Sequence, residues 1–179
     1  MTVGTLVEPG DLLIPRSTGW MGAAIRLGAA IRDKPNLGNH VAVVHHTDKH
    51  GVTWCLEGRP GGVGWRNAAD YLTSPWTLNN VVQPKTTAQR KLVCDIMIKM
   101  VGTAYDWDAI AMDAMSAFGI PLHSAWDLRN GQVPGHVVCS SAAQYAYRKA
   151  GLAHPSGDRL TAPADWISFV IRHGYNRGL

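Results

Sequence analysis

The sequence predicts an α+β fold in which a small antiparallel sheet is packed by helices. Two observations lead to this class. Short β-branched runs separated by turn residues lie in the first half of the chain, and most of the helical segments lie in the second half. The chain has 179 residues, of which 46% are hydrophobic and 17% charged. This length and composition indicate one globular domain over 1–179.

The predicted strands are short and apolar. Residues 12–14 follow a Pro-Gly-Asp turn, and 41–44 form a β-branched run that is too short for a helix. A turn at 47–51 separates that run from a further strand at 52–57, so we expect the two to form a hairpin. Another strand is predicted over 78–83.

Six segments carry helical patterns or capping signals. Ser17 and Thr18 can cap the first helix, and Gly102 follows the end of another, where glycine is the usual C-terminal signal. Segments 58–64 and 119–135 contain several glycines and prolines, and 119–135 is predicted to be irregular. The helices are predicted over 20–32, 68–72, 86–101, 105–118, 139–151 and 164–173.

Charge and targeting signals limit the expected partners. The net charge is +4 and the isoelectric point is near 9.1, but the basic residues are scattered, so no nucleic-acid surface is predicted. Mild basicity suits an anionic cell-wall polymer or an acidic lipid. No secretory signal is visible, and no stretch reaches the roughly 20 apolar residues that span a membrane. We therefore expect no integral membrane segment, and a cytoplasmic location unless lysis, a partner or a virus particle delivers the protein.

One of the three cysteines is a candidate nucleophile. Cys55, Cys94 and Cys139 lie far apart and form no CxxC pair, so at least one thiol must be free. Cys139 stands where a loop gives way to a helix, and a helix N-terminus lowers the pKa of a thiol. Its own backbone N–H would then be available to an oxyanion. The alternative is a buried core cysteine.

The general base must come from elsewhere in the chain. His40 precedes the apolar strand, and Glu57 lies on the adjoining one, where a carboxylate can orient an imidazole. Residues that lie opposite each other on paired strands share a face of the sheet. His40 and Glu57 therefore share a face only if the residue numbers of opposite residues add up to an odd number, as they do when 40 lies opposite 57. This register also places Cys55 on that face. His136 is the second choice of base. A core histidine and a solvated glutamate remain the alternatives for His40 and Glu57.

Other histidines and the aromatic residues suggest weaker sites. His45, His46 and His50 cluster near the hairpin turn, but neighbours on a strand point to opposite faces, so no metal site is predicted. Several aromatic residues in or near loops are candidates to line a substrate cleft. They are Trp65, Tyr105, Trp107 and Trp126.

Several short motifs occur in an order that resembles a known family. They are Pro9-Gly10-Asp11-Leu12-Leu13, Asn39-His40-Val41-Ala42-Val43, Leu56-Glu57-Gly58 with Gly62-Val63, Gly102-Thr103-Ala104-Tyr105-Asp106, Val138-Cys139-Ser140-Ser141 and Thr161-Ala162-Pro163-Ala164-Asp165. Together they resemble the circularly permuted NlpC-type papain-like cysteine peptidases and amidases. This group includes the YiiX-like bacterial proteins and, more distantly, the lecithin:retinol acyltransferase family. The order histidine, polar residue, cysteine is that of the permuted group, and the resemblance covers nearly the whole chain.

The resemblance implies both a fold and a reaction. The fold would be the permuted papain-like one, with Cys139 as nucleophile, His40 as general base and Glu57 as the orienting group. The reaction would be acyl transfer through a thioester, with no cofactor or metal required. We expect a cysteine hydrolase that cleaves an amide or peptide bond, with bacterial peptidoglycan as the leading substrate. The alternatives are a lipid or thioester acyltransferase or hydrolase, and a catalytically silent binding or structural module.

Overall fold

The structure, a computed structural model, describes residues 7–18, 20–31, 34–35, 37–73, 78–79, 85–107, 136–155 and 161–174. The strands of this part are β1 (Leu12–Ile14), β2 (Ala42–Thr47), β3 (Thr53–Arg59), β4 (Gly62–Asn67), β5 (Leu78–Asn79), β6 (Ala104–Tyr105) and β7 (His136–Val137). The helices are α1 (Trp20–Ile31), α2 (Ala69–Leu72), α3 (Thr87–Lys99), α4 (Cys139–Lys149) and α5 (Pro163–Arg172). The predicted mixture of helices with a small antiparallel sheet is confirmed.

Five strands form the main sheet, in the order β4-β3-β2-β1-β5, and every neighbouring pair is antiparallel. The predicted hairpin of β2 and β3 is present. Near the site, the residue numbers of paired residues in β2 and β3 add up to an odd number, which is the register that places His40 and Glu57 on one face of the sheet. Glu57, however, lies opposite Ala42 rather than opposite His40. A bulge between Val44 and His46 then shifts the register towards the turn.

Strand β4 was not among the predicted strands, and β3 extends beyond its predicted end at Glu57. Strand β3 continues to Arg59, and β4 begins at Gly62, so only a two-residue turn separates them. Glycine is common in loops, but within a strand it also allows a bulge or the close approach of another backbone. Gly62 has a φ of 103°, as the turn requires, and Gly58 allows the backbone of another element to approach closely.

Both faces of the sheet are covered. On one face, β1 and β2 pack with Leu12 and Val43 against α3, α4 and α5 around the fully buried Trp166. On the other face, Leu13 and Cys55 belong to a smaller apolar cluster that includes residues of α2. This burial on two faces explains why 41–44 is apolar throughout rather than alternating. The sheet therefore provides a rigid platform for residues at its ends.

The helices begin and end close to the predicted positions. Thr86 caps α3 through a reciprocal pair of hydrogen bonds with Gln89, and Gly102 follows the helix with a φ of 85°. Tyr105 was predicted to open a helix, but it lies in β6, which pairs in parallel with β7. The rest of the predicted 105–118 helix beyond Trp107, the irregular 119–135 segment and most of the 78–83 strand lie outside the described residues. Among the described helices, none has the length and apolar character needed to cross a bilayer.

Candidate active site

Cys139 is the first residue of α4, and the local sequence explains why the helix begins there. Val138 is extended, with φ −100° and ψ 161°, and its backbone N–H donates to Oγ of Ser141 at 3.2 Å. The hydroxyl of Ser141 in turn donates to the carbonyl of Val138, while Ser140 donates to the carbonyl of Thr161. Both serines are buried. These bonds fix the first turn of the helix, so the sulfur has a defined position at the positive end of the helix dipole.

The start of α4 lies directly against strand β3. A methyl group built on Gly58 would stand 3.1 Å from the backbone nitrogen of Cys139 and 3.3 Å from its Cα. Only glycine leaves room for this approach. Because Gly58 follows Glu57, the contact also brings the cysteine close to the carboxylate strand.

His40 lies just before β2, between the thiol and Glu57. Its Nε2 is 2.9 Å from Oε2 of Glu57, which leaves Nδ1 for the hydrogen bond between the imidazole and the Cys139 thiol. The preceding residue, Asn39, is buried and accepts hydrogen bonds at Oδ1 from the backbone N–H of Ser17 at 2.7 Å and from its hydroxyl. The loop that carries the imidazole is thus tied to the residues before α1.

The charges of the site favour a thiolate and an imidazolium. Burial would lower the pKa of His40, but the charge and hydrogen bond of Cys139, together with Glu57, outweigh it and raise that pKa to about 10. Burial would likewise raise the pKa of Cys139, but the charge and hydrogen bond of His40, with backbone hydrogen bonds from Val41 and Ser140, hold it below its ordinary value. Both shifts favour a thiolate paired with an imidazolium, which is the state that an activated cysteine requires.

The other two cysteines behave as buried thiols. Burial raises the pKa of Cys55 to about 12 and that of Cys94 to about 11. Both lie in the protein interior, and no imidazole contributes to either shift. The acidity of Cys139 is thus a property of its position rather than of the chain as a whole.

Glu57 is only 1% exposed, and two residues that the sequence did not single out hold it. Tyr71 donates its hydroxyl to Oε2 at 2.8 Å, and Nε of Arg59 forms an ion pair with Oε1. Nη2 of Arg59 also donates to the Tyr71 hydroxyl at 2.7 Å. Burial opposes ionisation of Glu57, but His40, Arg59 and Tyr71 overcome it, and the pKa lies below its ordinary value. Arg59 follows Glu57 by two residues on the same face of β3, a spacing that could have identified it.

A pocket of about 480 Å³ opens at this site. His40 and Cys139 lie in its wall, and Tyr105 lines it, as does Tyr71. Of the residues predicted to form a cleft, Tyr105 is thus at the pocket, whereas Trp126 lies outside the described residues. Trp107 is 46% exposed and packs edge-on against Tyr105.

Trp65 does not line the pocket, which corrects the prediction. It pairs across the sheet with Leu56 and therefore points to the face opposite Glu57. Its ring instead packs against the rings of His45 and His46, with centroids 4.9 and 5.6 Å away. Neighbouring residues of a strand were expected to point to opposite faces, but the bulge in β2 brings the rings of these two histidines together. Their Nδ1 atoms are 3.0 Å apart.

The two remaining predictions concern His136 and metal binding. His136 lies in β7, where its backbone pairs with that of Ala104 in β6. Its side chain lies outside the described part of the structure. Within the described ranges, no group of three or more histidine, cysteine or acidic side chains is arranged to hold a metal ion.

A scan against protein-family models and a search of curated proteins gave no match to the chain. The arrangement of Cys139, His40 and Glu57 is therefore what any statement about function has to be built on.

Proposed function

We propose that this protein is a cysteine hydrolase that cleaves an amide or peptide bond through a thioester intermediate. The observation that carries the proposal is the hydrogen bond between Cys139 and His40, whose other ring nitrogen is held by the buried Glu57. A structural cysteine needs no such partners, and among the described residues no histidine is a cause of the pKa shifts of the buried Cys55 and Cys94. With this constellation, the order of the sequence motifs supports a permuted papain-like fold of the NlpC type.

The mechanism follows from the charges. The thiolate of Cys139 attacks the carbonyl carbon, and the oxyanion is stabilised by the backbone N–H of Cys139 at the start of α4. The imidazolium of His40 gives its proton to the leaving amine as the C–N bond breaks, which leaves a thioester and a neutral imidazole. That imidazole then takes a proton from water, the hydroxide attacks the thioester, and the acid product leaves with the thiolate restored.

We propose peptidoglycan of the bacterial cell wall as the leading substrate. The net charge of +4 suits a protein that acts on an anionic polymer. The pocket is open to solvent and has two tyrosines in its wall, so one segment of a longer polymer could enter it.

Turnover of defined substrates tests the proposal. Purified sacculi are incubated with the protein, and released amines are quantified and identified by mass spectrometry. We expect amine release that is lost in Cys139→Ser and retained in Cys55→Ser, a matched change at a buried thiol. Release of fatty acid from an acyl-lipid or a thioester, without amine from sacculi, would assign the site to acyl-lipid chemistry instead. No release from either substrate, with an ordinary thiol at Cys139, would show a silent binding module.

A further inference from the structure

Two arginines lie in the same pocket wall as the proposed nucleophile. Arg59 and Arg66 both line the pocket, together with Arg16, whereas Asp70 is the only carboxylate of the described lining residues. Arg59 ends β3, two residues after Glu57, and Arg66 lies opposite Cys55 on β4. By strand alternation both side chains share the face of the sheet that carries Glu57.

The two guanidinium groups are arranged around one aromatic ring. Nη2 of Arg59 donates to the hydroxyl of Tyr71 at 2.7 Å, and the guanidinium carbon of Arg66 lies 6.0 Å from the centre of the same ring. Tyr71 is 7% exposed and is fixed by its bond to Glu57. The ring therefore holds both cations at a constant place in the wall.

Both arginines keep donors that the described residues do not use. Arg59 engages these residues through Nε and Nη2, which leaves Nη1. Arg66 is bound through Nη2 to Asp70 at 3.1 Å, and its Nε is buried without a hydrogen-bond partner among the described residues. Asp70 itself is 75% exposed, so this bond is easily exchanged for another. Unused donors on two guanidinium groups match a group with two or three charged oxygens.

The position of Arg59 connects these donors to the chemistry. It follows Gly58, whose Cα lies against the backbone of Cys139. Because Arg59 and Arg66 line the same pocket as Cys139, a ligand oxygen bound at the arginines would share that pocket with the reacting carbonyl.

We infer that Arg59 and Arg66 form an anion-binding subsite, and that the substrate carries a carboxylate or phosphate group close to the bond that is cleaved. This inference rests on the proposed function, because it describes the substrate of the same site. The shared chemistry is an oxyanion with at least two acceptor atoms. An acidic peptide and a lipid headgroup both supply it.

Alkylation of Cys139 by a charged and a neutral reagent tests the subsite. Iodoacetate carries a carboxylate and iodoacetamide does not, and with either reagent the sulfur displaces iodide. We expect the ratio of the iodoacetate rate to the iodoacetamide rate to fall by about tenfold in Arg66→Gln, as the loss of one charge-assisted contact predicts. The matched control is Lys91→Gln. Like Arg66, Lys91 is a cation paired with an acidic residue four positions later, but it lies on α3 and is not among the residues that line the pocket. That control leaves the ratio unchanged.

Two further arms identify the source of the anion and the role of the charge. N-acetylglutamate represents an acidic peptide and glycerol 3-phosphate a lipid headgroup, and the one that protects Cys139 from iodoacetamide at the lower concentration names the source. Arg66→Lys keeps the charge and is expected to retain more of the ratio than Arg66→Gln.

The possible failures are distinguishable. A ratio in Arg66→Gln equal to that of the parent, a lysine variant no better than the glutamine one, or no protection by either anion would overturn the subsite. A Cys139 that reacts as an ordinary buried thiol with both reagents would instead overturn the proposed function.

Discussion

Replacing His40 with alanine removes the charged partner of the Cys139 thiol. The structure supplies the magnitude, because two other thiols show what burial does without an imidazole. Cys55 has a pKa of about 12 and Cys94 one of about 11, whereas the pKa of Cys139 lies below the ordinary 9.0. In His40→Ala we therefore expect the pKa of Cys139 to rise by about 2 pH units or more, towards the range of the other two thiols.

The assay is the rate of alkylation by iodoacetamide as a function of pH, followed at the Cys139 peptide by mass spectrometry. A rise of about 2 pH units lowers the thiolate fraction at pH 7 by at most about a hundredfold. The observed rate falls less, by about tenfold or more, because a less acidic thiol gives a more nucleophilic thiolate.

His45→Ala serves as the control, since the ring of His45 packs against His46 and Trp65 rather than the thiol. This variant should alkylate with the pH midpoint of the parent protein. If His40→Ala keeps that midpoint as well, the imidazole does not set the acidity of the sulfur, and the reasoning is refuted.

The remaining predictions concern the carboxylate and the contact between β3 and α4. Activity should decline on the alkaline side near pH 10, where His40 loses the proton that the leaving amine needs. Glu57→Gln removes a charge that raises the pKa of His40, so this decline should move to lower pH in a pH–rate profile, and an unmoved limb would contradict the assigned role. Gly58→Ala places a methyl group 3.1 Å from the backbone of Cys139 and should cost about 1–3 kcal/mol in urea unfolding, with loss of activity. Gly64→Ala, on the adjacent strand with nothing within 4 Å of the added methyl, should unfold as the parent does, and equal stabilities for the two variants would show that the contact is not tight.

The parts of the fold that follow from local sequence could be predicted. The hairpin of β2 and β3 has a clear turn between two apolar runs, and α3 has its capping pair at Thr86 and Gln89. The start of α4 at Cys139 could be predicted for the same reason, since a loop leads into it. The placement of His40 and Glu57 on one face depended only on the parity of the strand register, which held although the partner of Glu57 was different.

The parts that depend on contacts distant in the sequence could not be predicted. Nothing local shows that Gly58 is a strand residue under a helix, because the reason for the glycine lies at Cys139. Tyr71 belongs to a short helix that was predicted, but its hydroxyl reaches Glu57 only in the folded chain. Tyr105 lies in a strand rather than in the predicted helix because it pairs with Val137. That partner is more than 30 residues away in the sequence, so no local pattern indicates the pairing. The bulge in β2, which places the rings of His45 and His46 next to each other, could not be predicted from the local sequence.

Because His40 and Cys139 are far apart in the sequence, folding is the step that activates the Cys139 thiol. His40 and Cys139 are brought together only when the sheet and α4 have packed, so a growing or unfolded chain carries three ordinary thiols. In such a chain Cys139 lacks the additional susceptibility to oxidation and alkylation that an acidic sulfur has. The appearance of one fast-reacting cysteine would therefore mark the moment at which newly made protein reaches its native state.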